Sequence, residues 1–248
     1  FNSIELLINL NSFGFMREAC RAKKVKYSGV ESFDDIVEYE PTCLDSSSKS
    51  IQALTNIAGG DYWENIVEDY KQGHIDGYQA EKRFAQEYCE RLRKKYRYVL
   101  NMPIRLHKGQ RPKYRMIHAT NHADGCVLMY ENICKRWEVL DDMQTGGQIN
   151  FFNTSVDDDF IDLSAVQDRL CKHLQQYCSY TNLNVILADF FTINGVVCKK
   201  AEIIKMIQEL EENSEILVSR NPDVTAKGKA RRYYTETSKQ HIQIRRKP

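Results

Sequence analysis

Two histidines four residues apart, His118 and His122, stand with Asn121 in the run YRMIHATNH (Tyr114–His122) and make the densest polar cluster in the chain. At the two-residue period of a strand they share a face, so two imidazoles could approach one zinc ion. Only Asp124 follows as a further donor, and it is better placed to open the helix beginning there. The plainer reading is a pair of edge-strand polar residues and a helix cap. Asn9 and Asn11, with Arg17 one helical step on, stand at the carboxyl end of an apolar run, where open α/β sheets bind ligands. Their amides could read a base or a small-molecule edge, or could cap the following helix and satisfy loop backbone. The run Asp157-Asp158-Asp159 could chelate a cation or simply be solvated.

The largest functional patch is basic. Arg220, Lys227, Lys229, Arg231 and Arg232 crowd together just before Tyr233-Tyr234, and Lys239, His241, Arg245, Arg246 and Lys247 follow. Lysines and arginines on a flexible wing neutralise phosphates without reading sequence. Lys199 and Lys200 stand where a helix begins, the part of a recognition helix that reaches base edges. That helix also carries Glu202, Glu209, Glu211 and Glu212, which would repel a phosphate backbone. Nucleic-acid contact and protein contact both remain open on these residues.

Elements must position these groups. Ile4–Leu10 (IELLINL) has almost no polar interruption and reads as a strand buried on both faces inside a parallel sheet. A helix follows to Ala22, then a polar crossover over Ser28–Ser50 that contains Pro41, Cys43 and a serine run. Ile51–Tyr70 reads as helical with a break at Gly59-Gly60, and Asp61 as the N-cap of its second part. Ala80–Lys95 places Phe84, Tyr88, Leu92 and Tyr96 four apart, the stripe of an amphipathic helix. The runs Tyr96–His107 and Tyr114–His122 flank the polar turn Lys108–Lys113 as a hairpin, which leads into a helix over Gly125–Trp137. Asp141–Asp162, with Gly146-Gly147 and the aspartate triplet, reads as an acidic linker. Beyond it come helices over Leu163–Tyr177, Asn184–Thr192 and Lys199–Glu212, a strand at Ile216–Arg220, a loop over Asn221–Lys229 and a return strand at Arg231–Thr235. Three helices and a ribbon are the order of a winged helix-turn-helix.

The bulk numbers narrow the classes. The chain has 248 residues, 35 basic against 34 acidic, so no global field advertises a polyanionic partner and any such role must be local. Eight scattered cysteines without a CxxC pair read as reduced thiols used as small hydrophobes. No apolar run approaches the roughly 20 residues that span a bilayer, and no leader precedes the first strand, which implies a cytoplasmic protein. Phe1 in place of Met, so close to an apolar strand, reads as a piece of a longer protein.

IELLINL followed by Met16-Arg17, the GGDYW box at Gly59–Trp63 and KYRMIHATNHADG at Lys113–Gly125 together resemble the three-Cys-motif partner (TcmP) family of bacterial and phage-linked proteins. The resemblance implies an α/β fold: residues 1–140 as the C-terminal half of a class I methyltransferase-like, Rossmann-type sheet with an antiparallel edge hairpin. It further implies a 141–162 linker and a 163–248 winged-helix domain with a basic tail. Ile4–Leu10 would be the fifth strand and the hairpin the sixth and antiparallel seventh. In the full-length protein it implies S-adenosylmethionine as cofactor; a three-Cys-motif protein and DNA are the implied partners, in a phage or mobile-element defence setting. Gly59-Gly60 and Gly146-Gly147 follow helix or linker sequence rather than an apolar strand, so neither is the glycine-rich cofactor turn, and this chain alone is expected not to bind S-adenosylmethionine. The fold does not fix catalysis. Two functions follow as expectations: a methyltransferase-like protein acting on or near nucleic acid, or a non-catalytic adaptor whose winged helix docks a protein.

Overall fold

A computed structural model describes residues 4–27, 48–104, 114–145, 162–224 and 228–247. The Lys108–Lys113 turn, Cys43, Gly146-Gly147, Asp157–Asp159, Lys227 and the Trp137 side chain lie outside the described residues. Within them the chain is mixed α and β, with two small antiparallel sheets.

The first sheet contains β1 (Leu6–Leu10), β2 (Tyr98–Ile104) and β3 (Tyr114–Thr120) in the order β1-β3-β2. The expected hairpin is present, with Leu100 opposite His118 in the β2–β3 register. Two expectations are corrected. The reversed strand, β3, lies between the other two rather than at an edge, so β1 and β2 run in the same direction. And β1 is not a buried parallel strand: it pairs antiparallel with β3, Leu7 opposite His118, and Leu7 is 57% exposed. An uninterrupted apolar run states what a strand can bury, while the helices that cover it decide what it does bury.

One face of this sheet packs on α1 (Ser12–Ala22), α2 (Ser48–Ala58), α3 (Trp63–Lys71) and α4 (Gly77–Arg93). Val99, Ile117 and Ala119 meet Met16, Trp63 and Phe84 there, and Phe15 stacks on Phe84 with ring centroids 4.0 Å apart. Asp76 opens α4 through a capping box with Gln79, which satisfies backbone donors at the helix start. Asp61 does not cap α3, which starts at Trp63 without a side-chain cap.

The other face packs on α5 (Ala123–Thr145), which extends past Trp137 into residues expected to be linker. Its second residue after the first, Gly125, lies so close to Glu5 that a Cβ would run into the carboxylate. Tyr98, Leu100 and Met102 join Cys126, Tyr130 and Ile133 in a core that continues into the C-terminal part.

That part comprises α6 (Leu163–Leu174), β4 (Thr181–Asn182), α7 (Leu183–Asn194), α8 (Lys200–Glu212), β5 (Ile216–Asn221) and β6 (His241–Arg246). Its sheet order is β4-β6-β5. The return strand is therefore His241–Arg246 and not Arg231–Thr235. Ile242 and Ile244, two apart, both point into the core with no exposure, whereas adjacent tyrosines cannot share one face of a strand. The expected basic tail is thus the central strand of this sheet. β4, two residues long, gave no pattern to read. α7 is apolar almost all round, as a helix surrounded by others must be. Tyr130 of α5 stacks on Phe191 of α7 at 3.6 Å between centroids and donates its hydroxyl to the Cys198 carbonyl. One core consequently joins residues before 141 to residues after 162. No described helix is long and apolar enough to cross a membrane.

Candidate functional site

Two places gather the groups singled out by type. At the carboxyl end of β1, Asn9 is exposed. The Asn11 carboxamide accepts from the Gly14 N–H at 2.8 Å and so caps α1. Arg17 is exposed, 4.0 Å from the Glu18 carboxylate. Behind them lies a network that residue spacing did not reveal. The Ser12 hydroxyl donates to Glu81, and Arg115 grips the same carboxylate through Nε at 2.6 Å and Nη2 at 2.9 Å. The side chains of Arg115 and Glu81 are only 7% and 2% exposed. A two-pronged, charge-assisted pair of this kind can stay buried because each ion satisfies the other. One signal was available: Glu81 interrupts the inward stripe Ala80, Phe84, Ala85 of α4, a position where a carboxylate needs a partner. Asn11 is thus engaged as a cap, and Ser12, Glu81 and Arg115 are bound to one another, which leaves Asn9 and Arg17 as the exposed polar groups named at this end.

The two histidines part company. His118 points into the sheet face, 1% exposed, and neither ring nitrogen has a hydrogen bond. Its Nε2 stands 3.8 Å from the Glu5 carboxylate. Burial holds its pKa below the ordinary value, and Glu5 opposes that shift in part. His122 lies beyond the end of β3, where the chain bends at Asn121, and is exposed; its N–H donates to Thr120 Oγ1 at 3.1 Å. Asn121 accepts from the Arg97 N–H at 2.8 Å, and Asp124 accepts from the Asn184 amide of α7 at 2.7 Å. Among the described residues no three His, Cys, Asp or Glu side chains converge on a metal-sized site. Burial pushes the Cys20 and Cys89 thiols up to about 11 and Cys126 and Cys198 up to about 12, away from the reactive thiolate.

The second place is the β5–β6 ribbon and the start of α8. The Lys199 N–H donates to the Glu202 carboxylate at 3.1 Å, and the Lys200 ammonium pairs with Glu131 of α5. Eleven helical residues, about 17 Å, separate this end of α8 from Glu211. There Arg220 binds Glu211 through both Nη atoms, at 2.8 and 2.6 Å, and donates through Nε to the Tyr233 carbonyl at 3.1 Å. Tyr234 donates to the same carboxylate and lies under the Arg220 guanidinium, 4.8 Å from ring centroid to Cζ. Arg220 holds the Glu211 carboxyl below its ordinary pKa. Arg231 donates to the Val224 carbonyl at 2.9 Å, while Lys229 and Arg232 are exposed. The structure thus gathers Arg220, Arg231 and Arg232 around Tyr233-Tyr234 and sets Lys199 and Lys200 apart at the other end of α8, Lys200 against Glu131 of α5. The outward side of α8 presents Ala201, Lys205, Glu209 and Glu212.

A second network was also missed. His173 of α6 meets the Ile186 carbonyl at 3.0 Å and the Tyr177 hydroxyl at 3.2 Å; Tyr177 donates to Asp189 of α7 at 3.1 Å. Arg97, just before β2, approaches Asp189 at 3.6 Å. It joins elements too distant in sequence for spacing to reveal.

Comparison with family models, with curated proteins and with solved structures gives no match to this chain.

Proposed function

We propose that the chain is a methyltransferase-like scaffold of the three-Cys-motif partner kind whose C-terminal winged helix contacts duplex DNA through its phosphates. The observation that carries this reading is topological and electrostatic together. The order α6-β4-α7-α8-β5-β6, with β6 between β4 and β5, supports a winged helix, and the stretch 227–247 at its ribbon carries eight lysines and arginines against one acid. The scaffold half supports the reading in one respect: β1 and β2 share a direction with β3 reversed beside them, as the resemblance implies for the fifth, sixth and seventh strands. S-adenosylmethionine belongs to the implied full-length protein. Without a glycine-rich turn after an apolar strand, this chain is expected to give no heat on titration with that cofactor.

The test is fluorescence anisotropy of a labelled duplex against the chain at low salt. Saturable binding that weakens as salt rises is the expected result. A flat titration would remove DNA and leave the adaptor reading, in which the winged helix docks a protein, a three-Cys-motif protein by implication. One observation favours that second reading: Lys200 and Arg220 are already taken by Glu131 and Glu211, and the outward side of α8 is more acidic than basic.

A further inference from the structure

We infer that the duplex is held by the β5–β6 ribbon and not by α8, so that the module grips phosphates and leaves base edges unread. This rests on the DNA-contact reading and specifies its surface. Between residues 228 and 247 stand Lys229, Arg231, Arg232, Lys239, Arg245, Arg246 and Lys247 against a single acid, Glu236. That acid is spent internally: its carboxylate accepts from the Asn182 amide at 2.8 Å and from the Ile242 N–H at 3.0 Å. Cations therefore outnumber the one half-buried acid along this stretch. Lys229, Arg232 and Lys239 are exposed along it.

The ribbon is also built rather than trailing. Arg220, Glu211 and Tyr234 clamp it to the end of α8, the Arg231 N–H donates to the Asp223 carbonyl at 2.8 Å, and the Tyr233 hydroxyl donates to the Pro222 carbonyl at 3.1 Å. Val224 bridges Ala230 and Thr237 bridges Gln240. Cations fixed on a backbone lose less freedom on meeting a phosphate than cations on a loose tail. On α8 the arrangement is the reverse. Lys200 points at Glu131 of α5, and of the exposed side chains Lys205 is outnumbered by Glu209 and Glu212. A groove-bound α8 would bring these carboxylates towards the phosphates that line the groove.

Two variants test this against the unmodified chain by duplex anisotropy across salt. The ribbon triple Lys229→Ala, Arg232→Ala, Lys239→Ala removes three exposed cations, and an unchanged thermal melt confirms its fold. It is expected to bind at least about tenfold more weakly, with the slope of log affinity on log salt reduced by about 2 to 3. Lys205→Ala on α8 is expected to bind within about twofold of the unmodified chain. Loss of binding in Lys205→Ala with the ribbon triple unaffected would overturn the ribbon assignment while leaving DNA contact standing. Absence of binding by the unmodified chain would instead overturn the DNA-contact reading beneath it.

Discussion

Two arginine–glutamate clamps organise the two ends of this molecule, and they do different things. Arg115–Glu81, with Ser12, is sealed beneath the helices on the first sheet, and the exposed cation beside it, Arg17, has the Glu18 carboxylate for a neighbour. Arg220–Glu211, with Tyr234, uses the same two-pronged chemistry at a half-buried seam, and around it other cations face outward. The chemistry of the pair does not distinguish structural from functional regions; the charge remaining once the pair has closed does. By that measure the first sheet fits the proposed scaffold and the ribbon the proposed surface for a partner.

The largest effect should come from the sealed clamp. Glu81→Ala would strand the Arg115 guanidinium in the core and is expected to cost about 3 to 5 kcal/mol in urea unfolding. Replacing both members by apolar residues of similar volume should recover most of that loss. A cost below about 1 kcal/mol for Glu81→Ala would mean that the clamp is open to water and the contrast with the ribbon is false.

At the ribbon, Glu211→Gln removes the charge that Arg220 leans on. Because that seam is partly wet, the expected loss is smaller, about 1 kcal/mol or less. Binding to a duplex should not weaken, since an acid has been removed from beside the basic strand. Weaker binding by this variant would show that the clamp's hold on the ribbon outweighs the charge it removes.

Acid should act on the core rather than on the ribbon. Burial keeps the pKa of both His118 and His173 below the ordinary 6.5. The unfolded chain then takes up protons that the folded one refuses as pH falls below that value. Stability is therefore full above about 6.5 and is lost as pH drops through and below it. The urea midpoint at about pH 5.5 should lie below that at about pH 7.5; an equal or higher midpoint would contradict the burial of these rings. The smallest change, Tyr130→Phe, deletes only the hydroxyl donated to the Cys198 carbonyl and should cost about 1 kcal/mol in the same unfolding assay.

The elements were legible where period and punctuation agreed. The β2–β3 hairpin, the stripe of α4 and the three helices from Leu163 onwards all follow from spacing that one face of an element must obey. What misled was burial without period. IELLINL promised an interior strand, yet only Leu6, Ile8 and Leu10 turn towards the helical layer. Tyr233-Tyr234 drew the return strand to the wrong place, because aromatic residues favour strands but two adjacent ones cannot both face a core. At the sites, Asn11 as a cap was readable from its place before a helix. Glu81 could have been suspected from the stripe it breaks, though its partner Arg115 lies 34 residues on. The Arg97–Asp189–Tyr177–His173 chain left no local mark, since its members meet only after α6 and α7 have packed beside β2.

A winged helix that grips duplex phosphates and not base edges should bind DNA without regard to sequence. The most direct measurement is the affinity of the unmodified chain for two duplexes of unrelated sequence, about 20 base pairs each, at several salt concentrations between about 50 and 200 mM. Equal affinities are expected for the two, both falling steeply and in parallel as salt rises. A preference for one sequence that persists at the higher salt, or no binding to either, would contradict that expectation.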